Sequence, residues 1–130
     1  MDDRYRFRAW HKERKQMHDV LRIDYYDKGY NPPYIDVGLT DDDGFGVLCP
    51  LRDFELMQCV GDNDLNGNLI FEGDIISCND YHGARCGDLA YYQGSFYLRG
   101  SDGKSDEHYY NLSEIVVIDN IYDNIHDLRR

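Results

Sequence analysis

Short strand-forming segments separated by turn residues dominate the second half of this sequence. The segments "LIFEGDIISC", "DLAYYQ", "SFYLR" and "EIVVIDNIYD" are rich in aromatic and β-branched residues, and Gly, Asp or Asn lies at their ends. Such residues favour strands because their side chains pack well on a pleated surface, whereas Gly, Asp and Asn favour turns. Many short strands at close spacing predict a small β-barrel or sandwich.

The length and composition fit one small globular domain. The chain has 130 residues, of which 42% are apolar and 14% aromatic, with 12 tyrosines and 12 glycines against 3 prolines. We expect a mostly β domain, 1–130, made of an N-terminal β subdomain over 1–60 and a barrel-like subdomain over 61–130. Helix is expected to be scarce, with a single turn at 111–116 for which Ser113 is a possible cap.

The first half of the chain predicts a β-hairpin followed by loop. The alternation in "YRFRA" has the period of two that is typical of a strand with one buried face. Residues 12–15 then predict a charged turn, and residues 17–26 the partner strand. Residues 27–46 contain a Pro pair and an acidic run, so they predict mainly loop, whereas residues 53–61 favour a short strand. Further on, the tripeptide Gln93-Gly94-Ser95 predicts a tight hairpin turn.

The charge is unevenly distributed, which bears on possible partners. The net charge is −11, yet residues 1–22 contain seven Lys or Arg against four Asp or Glu, so the remaining 108 residues carry −14. A surface this acidic repels phosphate and disfavours nucleic acid. The basic, aromatic N-terminal segment with Arg4, Arg6, Arg8 and Trp10 leaves nucleic-acid binding open as an alternative, although such charges also protect a solvated hairpin edge.

The stretch "GDNDLNGNLIFEGDII" (61–76) resembles the start of a calcium loop. Counted from Asp62, oxygen ligands fall at the first, third and fifth positions and Gly67 at the sixth, as in an EF-hand. The twelfth position is Gly73 instead of the required Glu, and the flanking segments predict strands instead of helices. The pair Asn66-Gly67 is typical of a tight turn, so we interpret this stretch as a turn between two strands.

Three blocks of the sequence resemble the signature blocks of the YopX-like proteins of bacteriophages and prophages. These blocks are "FRAWHKERKQM" (7–17), "LMQCVGDNDLNGNLIFEGDII" (56–76) and "VVIDNIYDN" (116–124), and together they span most of the chain. Within the middle block Asp64 also matches the family pattern. The motif residues that the resemblance singles out are Arg8, Trp10, Gln58, Gly61, Asn66, Gly67, Glu72, Gly73, Asp74, Asn120 and Tyr122.

The resemblance implies a mostly β fold in which the segment after Gly73 forms a small SH3-like barrel. It implies no activity, since the family has no established biochemical role, and fold analogy does not supply one. The sequence departs from the family pattern at three positions, where Cys59 replaces an aromatic residue, His11 an acid and Asp119 a glycine. These departures affect local packing and turn geometry.

The residues themselves give the Glu72-Gly73-Asp74 segment a structural role. Gly73 permits a bend, and Asp74 is able to accept backbone hydrogen bonds next to it. Glu72 and Asp74 are expected to lie on the same side of a strand, where they form a carboxylate pair of the kind used by a metal-dependent hydrolase. No nucleophile, third ligand or phosphate-binding loop accompanies the pair, so we expect no enzyme and assign no catalytic residue.

A second possible metal site is the segment "CNDYHGARC". Its Cys78, His82 and Cys86 offer three soft ligands within nine residues, but no fourth ligand is evident, and buried strand thiols beside a polar turn are the alternative. We therefore assign no metal and no cofactor. The four cysteines are expected to be reduced thiols, because residues 1–10 contain no apolar stretch of the secretory type.

These observations lead to an expected function class. We expect a small acidic phage or prophage accessory protein of the bacterial cytoplasm that binds a protein partner from the host or the phage, with inhibition of that partner as one form of this function. Abundant tyrosine suits such an interface. We also expect homo-oligomers, because exposed strand edges invite pairing, and we expect no membrane association.

Overall fold

The fold is mostly β with curled sheets, as the sequence predicts. The computed structural model describes residues 5–26, 29, 34–40 and 46–123. No helix in these ranges is long and apolar enough to cross a membrane. The strands found there are β1 (Phe7–His11), β2 (Gln16–Asp19), β3 (Arg22–Tyr26), β4 (Tyr34–Thr40), β5 (Gly46–Pro50), β6 (Phe54–Asn63), β7 (Leu69–Phe71), β8 (Asp74–Asp80), β9 (Gly83–Tyr92), β10 (Ser95–Gly100), β11 (Glu107–His108) and β12 (Ser113–Asn120).

The chain divides into two compact units. The N-terminal unit is Arg6–Gln58, and the C-terminal unit comprises Cys59–Arg130 together with Met1–Tyr5. Strand β6 begins in the first unit and ends in the second.

The N-terminal unit contains two sets of antiparallel strands. Strand β1 pairs on one side with β2 and on the other with the first half of β6, and β4 lies between β3 and β5. The charged turn predicted at 12–15 joins β1 to β2. A small apolar core forms where Ala9, Val37, Leu39 and Phe54 are buried together, so the pairing of strands brings residues distant in sequence out of water.

The C-terminal unit is built on a five-stranded antiparallel sheet. Its strand order is β11-β10-β9-β8-β12, which leaves β11 and β12 at the two edges. The core on its inner face contains Val60, Ile70, Ile76, Cys78, Leu89 and Leu98. The predicted hairpin turn between β9 and β10 is confirmed, and both Gln93 and Gly94 have positive φ, as a two-residue turn that follows strand twist requires.

Three predictions about local structure are wrong. Residues 34–40, inside the segment 27–46 that was predicted to be mainly loop, form β4, a strand paired on both sides whose Val37 and Leu39 are buried; residues 27, 28, 30–33 and 41–45 lie outside the described residues. The helical turn predicted at 111–116 is absent, since Ser113 begins β12 and pairs with Asn79 of β8. A 3-10 turn forms just before it, at Tyr109–Asn111. The partner of β1 is also shorter than predicted, because β3 pairs with β4 instead.

Candidate functional site

The signature stretch forms a turn between β6 and β7, organised by the Asp64 carboxylate. Its Oδ1 accepts hydrogen bonds from the backbone N–H groups of Asn66 (2.9 Å) and Asn68 (2.8 Å). Gly67 has φ +83°, a conformation that glycine adopts without steric cost. Asn66 and Gly67 therefore contribute backbone geometry, while Asp64 supplies the hydrogen-bond acceptor.

The same turn covers part of the edge of β12. The Asp64 Oδ2 accepts the N–H of Val117 at 2.9 Å, and the N–H of Leu65 donates to the carbonyl of Ile115 at 2.9 Å. Asp64 is only 7% exposed, and the hydrogen bond from Val117, followed by those from Asn68 and Asn66, lowers the pKa of its carboxyl despite desolvation. An unpaired strand edge is a template for aggregation, so this contact protects the sheet.

The turn interpretation of residues 61–76 is confirmed, and the chemistry of its acids differs from that of a calcium loop. Both oxygens of Asp64 accept backbone N–H groups, and Asp62 Oδ2 accepts the hydroxyl of Tyr109 at 2.9 Å. Strands instead of helices flank the turn. Sequence reasoning placed Asp62 at the first position and missed the larger role of Asp64, which depends on a contact 53 residues further along the chain.

A second turn joins β7 to β8 and is closed by Asp74. Its Oδ2 accepts the N–H of Phe71 at 2.8 Å, and its side chain is almost fully buried. Gly73 has φ +87°, donates to the carbonyl of Leu89 and accepts the N–H of Ile121. Glu72 lies in this turn and not in a strand, so the prediction that Glu72 and Asp74 share one side of a strand is wrong.

The remaining motif residues also lie at structural positions. Asn120 pairs with Asp74 at the end of β12, and its Oδ1 accepts the N–H groups of Tyr122 and Asp123, both at 3.0 Å. Tyr122 is half-buried. Gly61 lies in β6 with φ +103°.

In the N-terminal unit the motif residues lie in or beside β1. Arg8 is half-buried and Trp10 is only 6% exposed, while Gln58 pairs with Phe7. Trp10 is therefore not presented for stacking on a base, which the nucleic-acid alternative would use. Arg4 lies outside the described residues.

The three soft ligands predicted from "CNDYHGARC" are not brought to one point. Cys78 opposes Arg85 in the β8–β9 pair, whereas Cys86 opposes Ser77, so strand alternation directs the two thiols to opposite faces. Burial raises the pKa of the Cys78 thiol to about 11, which keeps the thiol protonated at neutral pH. Among the described residues no group of three His, Cys, Asp or Glu side chains has the geometry to hold a metal ion.

A buried ion cluster that sequence reasoning missed lies beside the β8–β9 hairpin. The Arg85 guanidinium contacts Asp102 Oδ2 at 2.9 Å, Asp80 Oδ2 at 3.1 Å and the carbonyl of Ser105 at 2.8 Å. The Arg85 hydrogen bond lowers the pKa of Asp102, and the N–H of His82 followed by Arg85 lowers that of Asp80. Since Arg85 is buried and bonded to both carboxylates and to the Ser105 carbonyl, the cluster fixes the loop after β10 to the sheet and presents no free positive charge.

The feature most suited to an external ligand is a row of four rings, three on the outer face of β9, β10 and β11 and the fourth in the 3-10 turn Tyr109–Asn111 that follows β11. Tyr92 stacks on Tyr97 at 4.3 Å between centroids, Tyr97 contacts His108 at 4.8 Å, and His108 contacts Tyr110 at 3.8 Å. We call these four residues the aromatic row. Pairing places them together, because Ser95 opposes Tyr92 and Tyr97 opposes His108.

The aromatic row lies among acidic side chains. The Tyr92 hydroxyl donates to Asp106 at 3.0 Å, and the pKa of Tyr92 is raised by desolvation and by that carboxylate. Arg99, two residues after Tyr97, pairs with Asp88 at 2.6 Å. Aromatic density in "YYQGSFYLR" was visible in the sequence, but His108 and Tyr110 join the row only through strand pairing, which the sequence does not specify.

Comparisons with known proteins identify the family and the fold. The profile described as YopX protein matches residues 6–128. Two solved structures are similar: protein EF1440 from Enterococcus faecalis (22% identity, 95% of this chain and 96% of that chain, TM-score 0.56) and protein yopX from Bacillus subtilis (19%, 94% and 96%, 0.58). At these identities the likeness concerns the fold alone. No curated protein matches the chain.

Proposed function

The chain belongs to the YopX protein family, and from that premise we propose that it is a non-enzymatic protein-binding module of phage or prophage origin. The observation that carries this proposal is the aromatic row, which presents Tyr92 and Tyr97 on one sheet face and Tyr110 in the 3-10 turn after β11. Tyrosine is enriched in interfaces because it combines a large apolar area with a polar group at low entropic cost. We include inhibition of the bound partner in this proposed function.

The state of the signature carboxylates supports binding over catalysis. Asp64 and Asp74 are buried and accept backbone N–H groups. A general base has to reach the proton of a substrate, and neither side chain is presented for that. The hydrolase alternative therefore has less support than the binding module.

The surface charge bears on the nucleic-acid alternative. The chain carries −11 overall, and phosphate contacts by several Lys or Arg normally provide most of the affinity for nucleic acid. Burial of Trp10 removes the stacking ring from the basic N-terminal segment. A protein partner is thus better supported than DNA or RNA.

We further infer that the C-terminal unit is a variant of the SH3-like barrel and that the protein acts in the bacterial cytoplasm. The curled five-stranded antiparallel sheet supports the first inference. The four free cysteines, two of them buried in cores or strands, support a reducing compartment.

The test is affinity capture from a lysate of Bacillus subtilis, the source of one similar structure. Wild-type chain is compared at physiological salt with Tyr97→Ala and with the matched control Tyr81→Ala, whose ring is exposed in the β8–β9 turn. We expect a protein that is enriched by wild type and by Tyr81→Ala and lost with Tyr97→Ala. Equal capture by all three chains, or none by any, contradicts the proposal.

A further inference from the structure

Resting on that proposed function, we propose that the aromatic row binds a basic segment of a protein partner. In this arrangement basic side chains of the partner contact the open face of Tyr110 and the carboxylate of Asp106, which lies beside Tyr92. The partner class follows from three properties of the site: an open ring face, an exposed carboxylate and length.

Tyr110 supplies the open ring face. Its centroid is 3.8 Å from that of His108, so one side of the ring is occupied by the row. The residue is nevertheless 76% exposed, which leaves the other side in contact with water. A cation over the face of a tyrosine is attracted by the ring quadrupole, and guanidinium is the side-chain group most often found there.

One carboxylate next to the row supplies negative charge. Asp106 is exposed and accepts the neutral Tyr92 hydroxyl, and within the described residues it has no cation within 4.0 Å. Arg99 interacts with it at longer range but makes its close ion pair with Asp88. Glu107 pairs with the buried Leu98, so it lies on the face of the sheet opposite to Tyr97 and His108. The counter-charge at the row is therefore that of Asp106.

The length of the row favours a peptide over a small organic cation. Successive centroids are separated by 4.3, 4.8 and 3.8 Å, so the row extends along up to about four residues of an extended chain at ~3.4 Å each. The acidic balance of the whole chain steers a basic segment towards it. The same balance repels phosphate, so single-stranded nucleic acid fits the rings but not the charge.

The test measures binding of a fluorescent octa-arginine peptide to the full chain by anisotropy at physiological ionic strength. An octa-glutamine peptide and an oligo-dT strand are the comparison ligands. We expect binding of octa-arginine to be roughly five- to tenfold weaker for Tyr110→Leu, which removes the ring face, and within about twofold of wild type for Tyr110→Phe, which keeps it. Asp106→Asn weakens binding and reduces its salt dependence, whereas Tyr81→Leu at another exposed ring leaves it unchanged.

Each other outcome overturns the inference. Equal affinity of all variants for octa-arginine means general attraction to an acidic protein, and equal binding of octa-glutamine means an apolar surface without charge selection. If oligo-dT binds to wild type and this binding is lost with Tyr110→Leu, the aromatic row is a nucleic-acid site. If lysate capture depends on Tyr97 while octa-arginine does not bind, the binding function stands and only the basic partner class fails. Thermal melts of each variant verify folding, which an exposed ring such as Tyr110 should not affect.

Discussion

At the scale of single residues, Gly67 carries the geometry of the signature turn. Its φ is +83°, and apart from its chain neighbours no atom of the described residues lies within 4 Å of the position a Cβ would take, so conformation and not space opposes a side chain there. We expect Gly67→Val to lower the free energy of unfolding by about 1–3 kcal/mol, because a β-branched residue is strained at positive φ. Gly46→Val, in strand β5 with φ outside that region, is the control, and urea unfolding is the measurement. Equal effects of the two substitutions would contradict the argument.

The two acids of the same turn offer an isosteric comparison. Asp64→Asn replaces one acceptor oxygen by an N–H donor while the backbone N–H groups of Asn66, Asn68 and Val117 still require acceptors. Asp62→Asn keeps an oxygen for the Tyr109 hydroxyl. We expect Asp64→Asn to lower the Tm by several degrees and Asp62→Asn to change it little, since an unsatisfied buried group costs more than a weakened exposed bond.

Calcium gives a separate prediction for this turn. Because the turn lacks the bidentate Glu and its acids accept backbone and tyrosine donors, millimolar calcium should leave the Tm at its value in chelator. Calorimetry should detect no binding of micromolar affinity. A rise of several degrees that disappears in Asp62→Asn would instead show that the stretch is a metal site.

At the scale of elements, the Arg85 cluster links the loop after β10 to the β8–β9 hairpin. We expect it to make the stability of the fold decrease at low pH. The pKa of Asp102 is lowered chiefly by Arg85, and that of Asp80 by the N–H of His82 and by Arg85. A carboxyl whose pKa is lower in the folded than in the unfolded state stabilises the fold above its unfolded pKa of about 3.9. That contribution is lost as the pH falls through the folded pKa.

We therefore expect a Tm that is nearly constant from pH 7 to about 5 and falls steeply below about 4. Asp102→Asn should lower the Tm at pH 7, because Arg85 remains buried with less compensation, and should flatten the acid slope. Exposed Asp53→Asn in the N-terminal unit serves as the control. Thermal melts across this pH range are the measurement. If Asp102→Asn leaves the slope of Tm against pH unchanged, groups outside the Arg85 cluster cause the loss of stability in acid.

The same scale shows which parts of the structure the sequence could predict. Local signals were sufficient for the mostly β class and for turns such as Gln93-Gly94, where Gly94 is a residue that adopts positive φ without steric cost. They were insufficient for β4, because proline and acidic neighbours obscured a strand stabilised by pairing on both sides. They also failed for Ser113, where pairing with Asn79 overrides a local capping preference. The aromatic row could not be predicted, because His108 and Tyr97 meet only through the register of β10 and β11.

At the scale of the whole molecule, association with a second copy depends on which strand edges remain open. In the C-terminal unit, Asp64 and Leu65 cover β12 at Val117 and Ile115. In the N-terminal unit, β5 is an edge among the described strands, and Val47 and Leu48 on its two faces are both exposed. An exposed apolar edge invites pairing, so we expect homo-oligomers to form through β5.

Leu48→Lys tests this expectation, because a lysine on an edge strand opposes pairing. Light scattering at micromolar concentration should give a multiple of the chain mass for wild type and for the control Leu65→Lys, which changes an exposed leucine in the β6–β7 turn. It should give the monomer mass for Leu48→Lys. Since each chain carries −11, like charges oppose assembly, and added salt should strengthen it by screening them. Added salt should instead weaken the binding of a basic segment at the aromatic row, so the response to salt distinguishes self-association from partner binding. A wild-type chain that stays monomeric at high salt would rule out self-association through β5.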